Sequence, residues 1–305
     1  MHFVTFSTKG HTARPGLWFQ KQQCVLDIKA AERHYLNSDA LPCSLLGIIQ
    51  QQDNTLPLLR SLHAVALADV DAACRIPLHQ ARLLAPYATP PRNILCIGIN
   101  YRDHLKELDR PLLAEQKLPQ TPIVFSKPCT CIADPDTAVD SHVEETQMYD
   151  YEGELAVIIG KSGKNIRKED ALEHVFGYAV LNDMSARDLQ RATTQWYRGK
   201  CLDESAPFGP CIACRESIPD PQNLAITSRI NGEIRQQSHT SHMIFDVATL
   251  ISTVSIGSTL QAGDIISTGT PAGVGMSFTP PRFLKSGDIM EMEIEGIGVL
   301  RNSIR

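Results

Sequence analysis

The residues best placed to do chemistry lie in one short stretch, Tyr149-Asp-Tyr-Glu152-Gly-Glu154-Leu-Ala-Val-Ile-Ile-Gly160, where two carboxylates two residues apart open an apolar run. Successive strand side chains point to opposite faces, so Glu152 and Glu154 share one face and Gly153 and Leu155 take the other. Two like charges on one face repel unless something positive sits between them. Leu155 to Ile159 is continuously apolar and partly β-branched, the pattern of a strand buried on both faces. The pair therefore stands at the mouth of a core, which is the geometry of a metal site. A control comes from Ile289-Met-Glu291-Met-Glu293-Ile-Glu295, where alternating Met290, Met292 and Ile294 supply a clean apolar face and the glutamates read as the solvated one.

A second candidate pair is His104 and Glu107, three apart and on one face if the stretch Tyr101 to Leu108 is helical. The carboxylate would then orient and polarise the imidazole; the competing reading is a surface turn with an incidental ion pair, and spacing alone leaves both open. Asp183 is delivered at the end of a strand, Tyr178 to Asp183, and leads into Met184 to Gln190, where positions 183, 187 and 190 fall on one helical face. Other signals carry less. Gly160-Lys-Ser-Gly163-Lys164 lacks the spacing of a phosphate loop and reads as a turn. Cys129 and Cys131 have no second pair at zinc spacing, and Cys211 and Cys214 sit in a strand rather than at a helix amino terminus.

The elements that must hold these residues divide at a proline cluster, Pro86, Pro90 and Pro91, which cannot continue a helix or central strand. Residues 1–88 read as a small N-terminal unit of short strands (His2 to Phe6, Gly16 to Phe19, Cys24 to Ile28) and a helix near Ser44 to Gln52. Residues 89–305 carry the candidate chemistry on strands at 93–100 and 122–126, a helical segment at 171–176, a hairpin at 226–236 turned by Asn231-Gly232, a buried helix at 243–254, and a strand running into the glycine-rich loop 269–275. At 305 residues and net charge -5, with no basic stripe, the chain gives no reason to expect nucleic acid. No apolar run reaches membrane-spanning length and no signal segment opens the chain, so a cytoplasmic protein with no membrane partner is expected. Nine scattered cysteines fit reduced thiols rather than a disulfide framework.

From about residue 92 to 305 the sequence resembles the fumarylacetoacetate hydrolase superfamily, through Gly98-Ile-Asn-Tyr101-Arg-Asp-His104, Glu152-Gly-Glu154-Leu-Ala, Asp183-Met-Ser-Ala-Arg-Asp-Leu-Gln190, Gly199-Lys200, Asn231-Gly-Glu and Thr268-Gly-Thr-Pro-Ala-Gly-Val-Gly. The smaller leading domain, the Gln-Trp before Gly-Lys and the ending at 281–288 look most like its longer, two-domain branch, which includes oxaloacetate tautomerases. The resemblance implies an α+β fold, a rolled mixed β catalytic domain with flanking helices, usually dimeric. It implies Mg²⁺ or Mn²⁺ on Glu152, Glu154 and Asp183, and an all-carboxylate set does suit a hard cation. By resemblance, Lys200 adds positive charge at a developing oxyanion, Arg187, Gln190 and Thr270 contact substrate, and His104 with Glu107 matches a general-base dyad. Cys201 departs from the Ser or Thr common after Gly-Lys. The implied substrate is a 2-oxo or 1,3-diketo carboxylate that chelates the metal and reacts through an enolate. Carbon-carbon hydrolysis or decarboxylation is the first reading, keto-enol tautomerisation the second, and a catalytically silent binding protein the third. Substrate choice is expected from apolar residues in the 105–120 and 273–283 loops.

Overall fold

The structure, a computed structural model, describes residues 1–69, 72–107 and 119–305. Its frame is a mixed sheet with strands in the order Arg75–Pro77, Cys24–Asp27, Arg14–Phe19, His2–Ser7, Ala206–Cys214, Val175–Asn182, Gly153–Ile159, Ile265–Ser267, Ile94–Gly98 and Ile123–Lys127. Along this path only Ile265–Ser267 and Ile94–Gly98 run parallel to each other. A second sheet of five strands is built around the Ala225–Ile230 and Glu233–His239 hairpin and the Ile289–Ile294 and Gly298–Ile304 pair. The hairpin turns as its sequence predicts, with Asn231 and Gly232 both at positive φ.

All seven residues of the strand Gly153–Ile159 are buried, and its alternation assigns them to two cores. Leu155, Val157 and Ile159 pack with Ile226, Met290, Met292 and Ile294 of the second sheet. Ala156 and Ile158 pack with Leu45, Ile48, Leu59 and Leu62 from the N-terminal helices. The main sheet is thus covered by a sheet on one face and helices on the other, the α+β arrangement expected from the apolar run. Each buried Val, Leu or Ile contributes about 1.5–3 kcal/mol, so the strand that bears the carboxylates is among the least deformable parts of the fold. The helix expected near Ser44 to Gln52 is Leu45–Gln50, and a second helix, Gln52–Ala68, follows it with Pro57 inside. The strand His2–Ser7 pairs with Ala206–Cys214 (His2 with Ala213, Phe3 with Ile212), so one sheet takes strands from both sides of the boundary expected near residue 88.

Three local expectations are corrected. The segment Lys168–His174 is a 3₁₀ helix, and Val175 and Phe176 begin a strand because Val175 pairs with Ile159. Asp183 is not on a helix with Arg187 and Gln190: Ser185–Ala186 pairs with Tyr149–Asp150 first, and the helix starts only at Arg187. The helix expected at 243–254 is Val247–Ser255, its start fixed by the Asp246 carboxylate accepting from the Thr249 amide at 2.7 Å. Cys211 and Cys214 lie in the Ala206–Cys214 strand, where burial pushes both thiols up, away from redox reactivity.

Candidate active site

Two adjacent strands end together and present the three carboxylates. The Asp183 amide donates to the Glu152 carbonyl at 2.8 Å, and the Glu152 amide donates to Asn182 Oδ1 at 3.0 Å, which clamps the end of Val175–Asn182 to the start of Gly153–Ile159. Between the glutamates, a side chain at Gly153 would collide with Ser228 Oγ of the second sheet, so this position seats the carboxylates by having none. Glu152, Glu154 and Asp183 are all buried and offer oxygens that lie within 4.8 Å of one another.

Cations surround two of the three. Lys200 Nζ donates to Glu152 Oε2 at 2.6 Å and to Asp183 Oδ2 at 2.8 Å. Lys127 Nζ, fully buried, lies 3.1 Å from Asp183 Oδ1 and donates to the Met184 carbonyl. Arg187 sets Nη2 2.7 Å from Glu152 Oε1, donates from Nε to Asp150 Oδ2 at 2.9 Å and from Nη1 to Gln190 Oε1 at 3.2 Å. Asp150 in turn accepts from the Gly275 and Met276 amides and so ties the glycine-rich loop to Arg187. Among the described residues Glu154 accepts only from neutral donors, Ser267 Oγ at 2.6 Å and the Gly269 amide at 2.9 Å, both at Oε2. Among the described residues, four buried carboxylates (Asp150, Glu152, Glu154 and Asp183) meet three buried cations (Lys127, Arg187 and Lys200), so that formally one negative charge is left over.

The protonation equilibria follow this imbalance. Burial pushes Glu154 well above the usual carboxylate range, and the charges of Asp183 and Glu152 push it further. At Glu152 burial acts the same way but is outweighed by Arg187 and Lys200, which hold it well below that range. Burial disfavours the Lys200 charge, yet Asp183 and Glu152 more than restore it and raise its pKa. A divalent cation fits these residues. The donors are all hard oxygens, Asp183 Oδ1 is buried and accepts no hydrogen bond although Lys127 Nζ lies 3.1 Å away, and Glu154 forms an ion pair with no cation among the described residues.

The helix Arg102–Glu107 brings the second pair. His104 Nδ1 is 2.7 Å from Glu107 Oε1, and Glu107 Oε2 accepts from the Gly273 amide at 2.8 Å. In the tautomer that donates Nδ1–H to Glu107, Nε2 keeps its lone pair. Gly273 has φ +102°, and a β-carbon there would run into the Arg235 carbonyl, so the loop reaches Glu107 only with glycine at this position. Among the described residues, His104, Glu152, Glu154, Arg187, Gln190, Lys200 and Thr270 line a single cavity of about 400 Å³, with Glu107 and Asp183 behind His104 and Lys200. Thr270 Oγ1 donates to the Gly153 carbonyl and accepts from Gln236 Nε2, which fixes its hydroxyl at the cavity wall.

Sequence reasoning missed Lys127, Asp150 and Gln236. Lys127 ends the strand Ile123–Lys127, and nothing local in the sequence ties its charge to Asp183. Asp150 stands two residues before Glu152 on the same alternation, which was a signal for a third carboxylate at the site. Of the segment 105–120 expected to select substrate, residues 108–118 lie outside the described residues; from 273–283, Met276 lines the cavity.

Comparison with known proteins identifies what the chain as a whole is similar to. The family described as fumarylacetoacetate (FAA) hydrolase C-terminal matches residues 93–305. Oxaloacetate tautomerase YisK of Bacillus subtilis is 44% identical over 282 residues, 92% of each chain. The solved fumarylacetoacetate hydrolase from Exiguobacterium antarcticum is 40% identical with TM-score 0.81, covering 100% of this chain and 99% of its own. The maleylpyruvate hydrolase from Sphingobium sp. SYK-6, solved in complex with manganese(II) ion and pyruvate, is 26% identical with TM-score 0.73, covering 100% and 98%.

Proposed function

This chain belongs to the fumarylacetoacetate hydrolase family and is an enzyme, and from that premise we propose that it is a divalent-metal-dependent keto-enol tautomerase of oxaloacetate-like 2-oxo acids. The observation that carries the proposal is the His104–Glu107 dyad facing the Glu152, Glu154 and Asp183 cluster across one cavity. The sequence alone favours hydrolysis or decarboxylation; the relative that is 44% identical over nearly the whole chain supports tautomerisation.

When bound by Glu152, Glu154 and Asp183, Mg²⁺ or Mn²⁺ supplies Lewis-acid stabilisation of negative charge on the 2-oxo oxygen. His104 Nε2 takes the proton from the carbon next to the oxo group and returns it to oxygen, or the reverse. Glu107 holds the ring in the required tautomer and steadies the imidazolium while the proton is on it. Lys200, fixed by two carboxylates, adds positive charge beside the developing oxyanion without having to move. Arg187 keeps Glu152 ionised, and Gln190 and Thr270 give the substrate polar contacts. Ile97, Ile123, Phe125 and Trp196 supply apolar wall that keeps water from the enolate.

The second reading, hydrolysis of an acylpyruvate, uses the same dyad to activate water and draws support from the names of the two solved neighbours. We further propose a homodimer in the cytoplasm, with residues 1–88 supporting a catalytic part at 89–305. The net charge of -5 supports the absence of a nucleic-acid partner, and no helix among the described residues is long and apolar enough to cross a membrane. The test supplies oxaloacetate with Mg²⁺ or Mn²⁺ and follows enol absorbance and pyruvate release separately. Absorbance change without pyruvate is the expected result. Pyruvate release would reassign the enzyme as a decarboxylase, and activity on an acylpyruvate alone would select the hydrolase.

A further inference from the structure

The glycine-rich loop is fastened, along its length, to the strand that bears the carboxylates. Ile265–Ser267 pairs antiparallel with Ala156–Ile158, and the loop continues in that direction past the end of the ladder. The Thr268 amide donates to the Leu155 carbonyl at 3.0 Å, the Gly269 amide to Glu154 Oε2 at 2.9 Å and Thr270 Oγ1 to the Gly153 carbonyl at 3.0 Å. Farther along, the Tyr151 hydroxyl donates to the Gly273 carbonyl at 2.8 Å, with the Arg235 guanidinium beside it. Asp150 then accepts from the Gly275 amide at 2.7 Å and from the Met276 amide at 3.1 Å. One bond of this clasp points away from the strand. The Gly273 amide donates to Glu107 Oε2 at 2.8 Å, and Glu107 Oε1 lies 2.7 Å from His104 Nδ1. Gly273 is therefore held on two sides, by Tyr151 at its carbonyl and by Glu107 at its amide. Tyr151 is the chain neighbour of Glu152, and it is fully buried in the core between the two sheets, with Leu155, Met290 and Met292.

We infer that Tyr151 is a positioning residue for the general base: through Gly273, its hydroxyl sets where the His104–Glu107 dyad stands relative to Glu152, Glu154 and Asp183. This rests on the reading that His104 is the base. Glu152 and the clamp on Gly273 come from adjacent residues of one chain segment. A substrate gripped at the carboxylates thus meets a base whose placement is referred to the same piece of backbone. Tyr151 is buried away from the reacting atoms and acts through Gly273 and Glu107. Its contribution is alignment, and a misplacement of about 1 Å costs a reaction up to about a hundredfold. Because the clamp does not touch the substrate, it enters kcat rather than KM.

Y151F removes the hydroxyl and keeps the ring with its packing. In the Mn²⁺-loaded enzyme acting on oxaloacetate, Y151F is expected to lower kcat about ten- to a hundredfold, with KM and the Mn²⁺-dependent Tm rise unchanged. In E107A no carboxylate remains to be held, and Y151F is expected to add no further loss there. An unchanged kcat in Y151F, a loss that falls on KM alone, or an equal loss in the wild type and E107A overturns the inference. A measurement that needs no turnover separates this from failure of the proposed reaction. In the Mg²⁺-loaded protein the His104 Nδ1 proton, bonded to Glu107, gives a low-field proton NMR resonance that H104A abolishes. In Y151F it is expected to broaden or vanish as exchange with water quickens. If the wild type does not interconvert the oxaloacetate tautomers, the tautomerase reading fails, and loss of this resonance in Y151F still sustains the inference. A resonance missing from the wild type, or unchanged in Y151F, overturns it.

Discussion

Replacing Glu154 with glutamine tests the electrostatic account of the site, because the same substitution has opposite consequences with and without metal. Without metal, Glu154 is the carboxylate that forms no ion pair among the described residues, buried beside Glu152 and Asp183, and its pKa is raised well above normal. Glutamine keeps the oxygen that accepts from Ser267 Oγ and the Gly269 amide while removing the charge. E154Q is therefore expected to match or exceed the wild-type Tm in the presence of a chelator. A carboxyl group raised in the folded state favours folding fully below its unfolded pKa, about 4.3, and that contribution is lost as pH rises toward the folded value. The wild type without metal should accordingly lose ground to E154Q as pH rises. With metal the order reverses, since the cation binds the deprotonated carboxylate and displaces its proton. At a hundred times Kd, a ligand stabilises by about 2.7 kcal/mol. At roughly 2–4 °C per kcal/mol for a chain of this size class, the wild-type Tm should rise about 5–10 °C with Mn²⁺. The rise should grow with pH and be largely absent in E154Q. Differential scanning fluorimetry between about pH 5 and 8, with chelator or Mn²⁺, reads all four states. The reasoning is refuted if E154Q without metal melts several degrees below the wild type, or if it keeps the full metal-dependent rise.

H104A should lower turnover about 10²- to 10⁴-fold while leaving the Mn²⁺-dependent Tm rise unchanged, because His104 is bonded to Glu107 and not to the carboxylate cluster; unchanged turnover in the enol-absorbance assay would remove the dyad from the mechanism. K200M should cost about 3–5 kcal/mol in chelator, measured by urea unfolding, since Glu152 and Asp183 lose the cation they share, and Mn²⁺ should restore part of the loss. G273A should lower kcat by detaching Glu107, and should cost stability beyond about 1 kcal/mol because φ is positive and the Arg235 carbonyl blocks a side chain; wild-type kcat in this variant would show that the Gly273 amide does not hold the dyad.

What could be read in the sequence was whatever depends on local periodicity. The alternation that put Glu152 and Glu154 together, the apolar run behind them and the Asn231-Gly232 turn all follow from two-residue repeats or from one residue's φ preference, and the fold reproduces them. Asp183 stood out at the end of a strand, but its place beside Glu152 came only from resemblance, because the two are brought together by a strand ladder and not by local spacing. The spacing that put Asp183 on a helix with Arg187 failed for the same reason, as pairing of Ser185–Ala186 with Tyr149–Asp150 delays the helix. Lys127 could not be placed at all. Its strand, Ile123–Lys127, lies at the far end of the main sheet's strand order, and its charge acquires meaning only when that edge closes toward Asp183.

The charge balance also limits what the buried cluster can decide. With one negative charge left over, a divalent cation turns the cluster net positive by one, which suits an anionic 2-oxo acid and the further charge that builds on its oxygen as a bond to the neighbouring carbon breaks. Hydrolysis, decarboxylation and tautomerisation all build charge on that oxygen, so Glu152, Glu154, Asp183, Lys200 and Arg187 serve each of them equally. Divergence begins with the next event: a tautomerase returns one proton, and a hydrolase must hold a water in line with the carbonyl it attacks. Both tasks fall to His104, whose single basic nitrogen can carry out only one of them at a time. Selection between them therefore belongs to the surfaces that admit or exclude water beside His104, where Phe125 and Trp196 meet edge to face at 5.4 Å and Met276 comes in from the loop that also anchors Glu107.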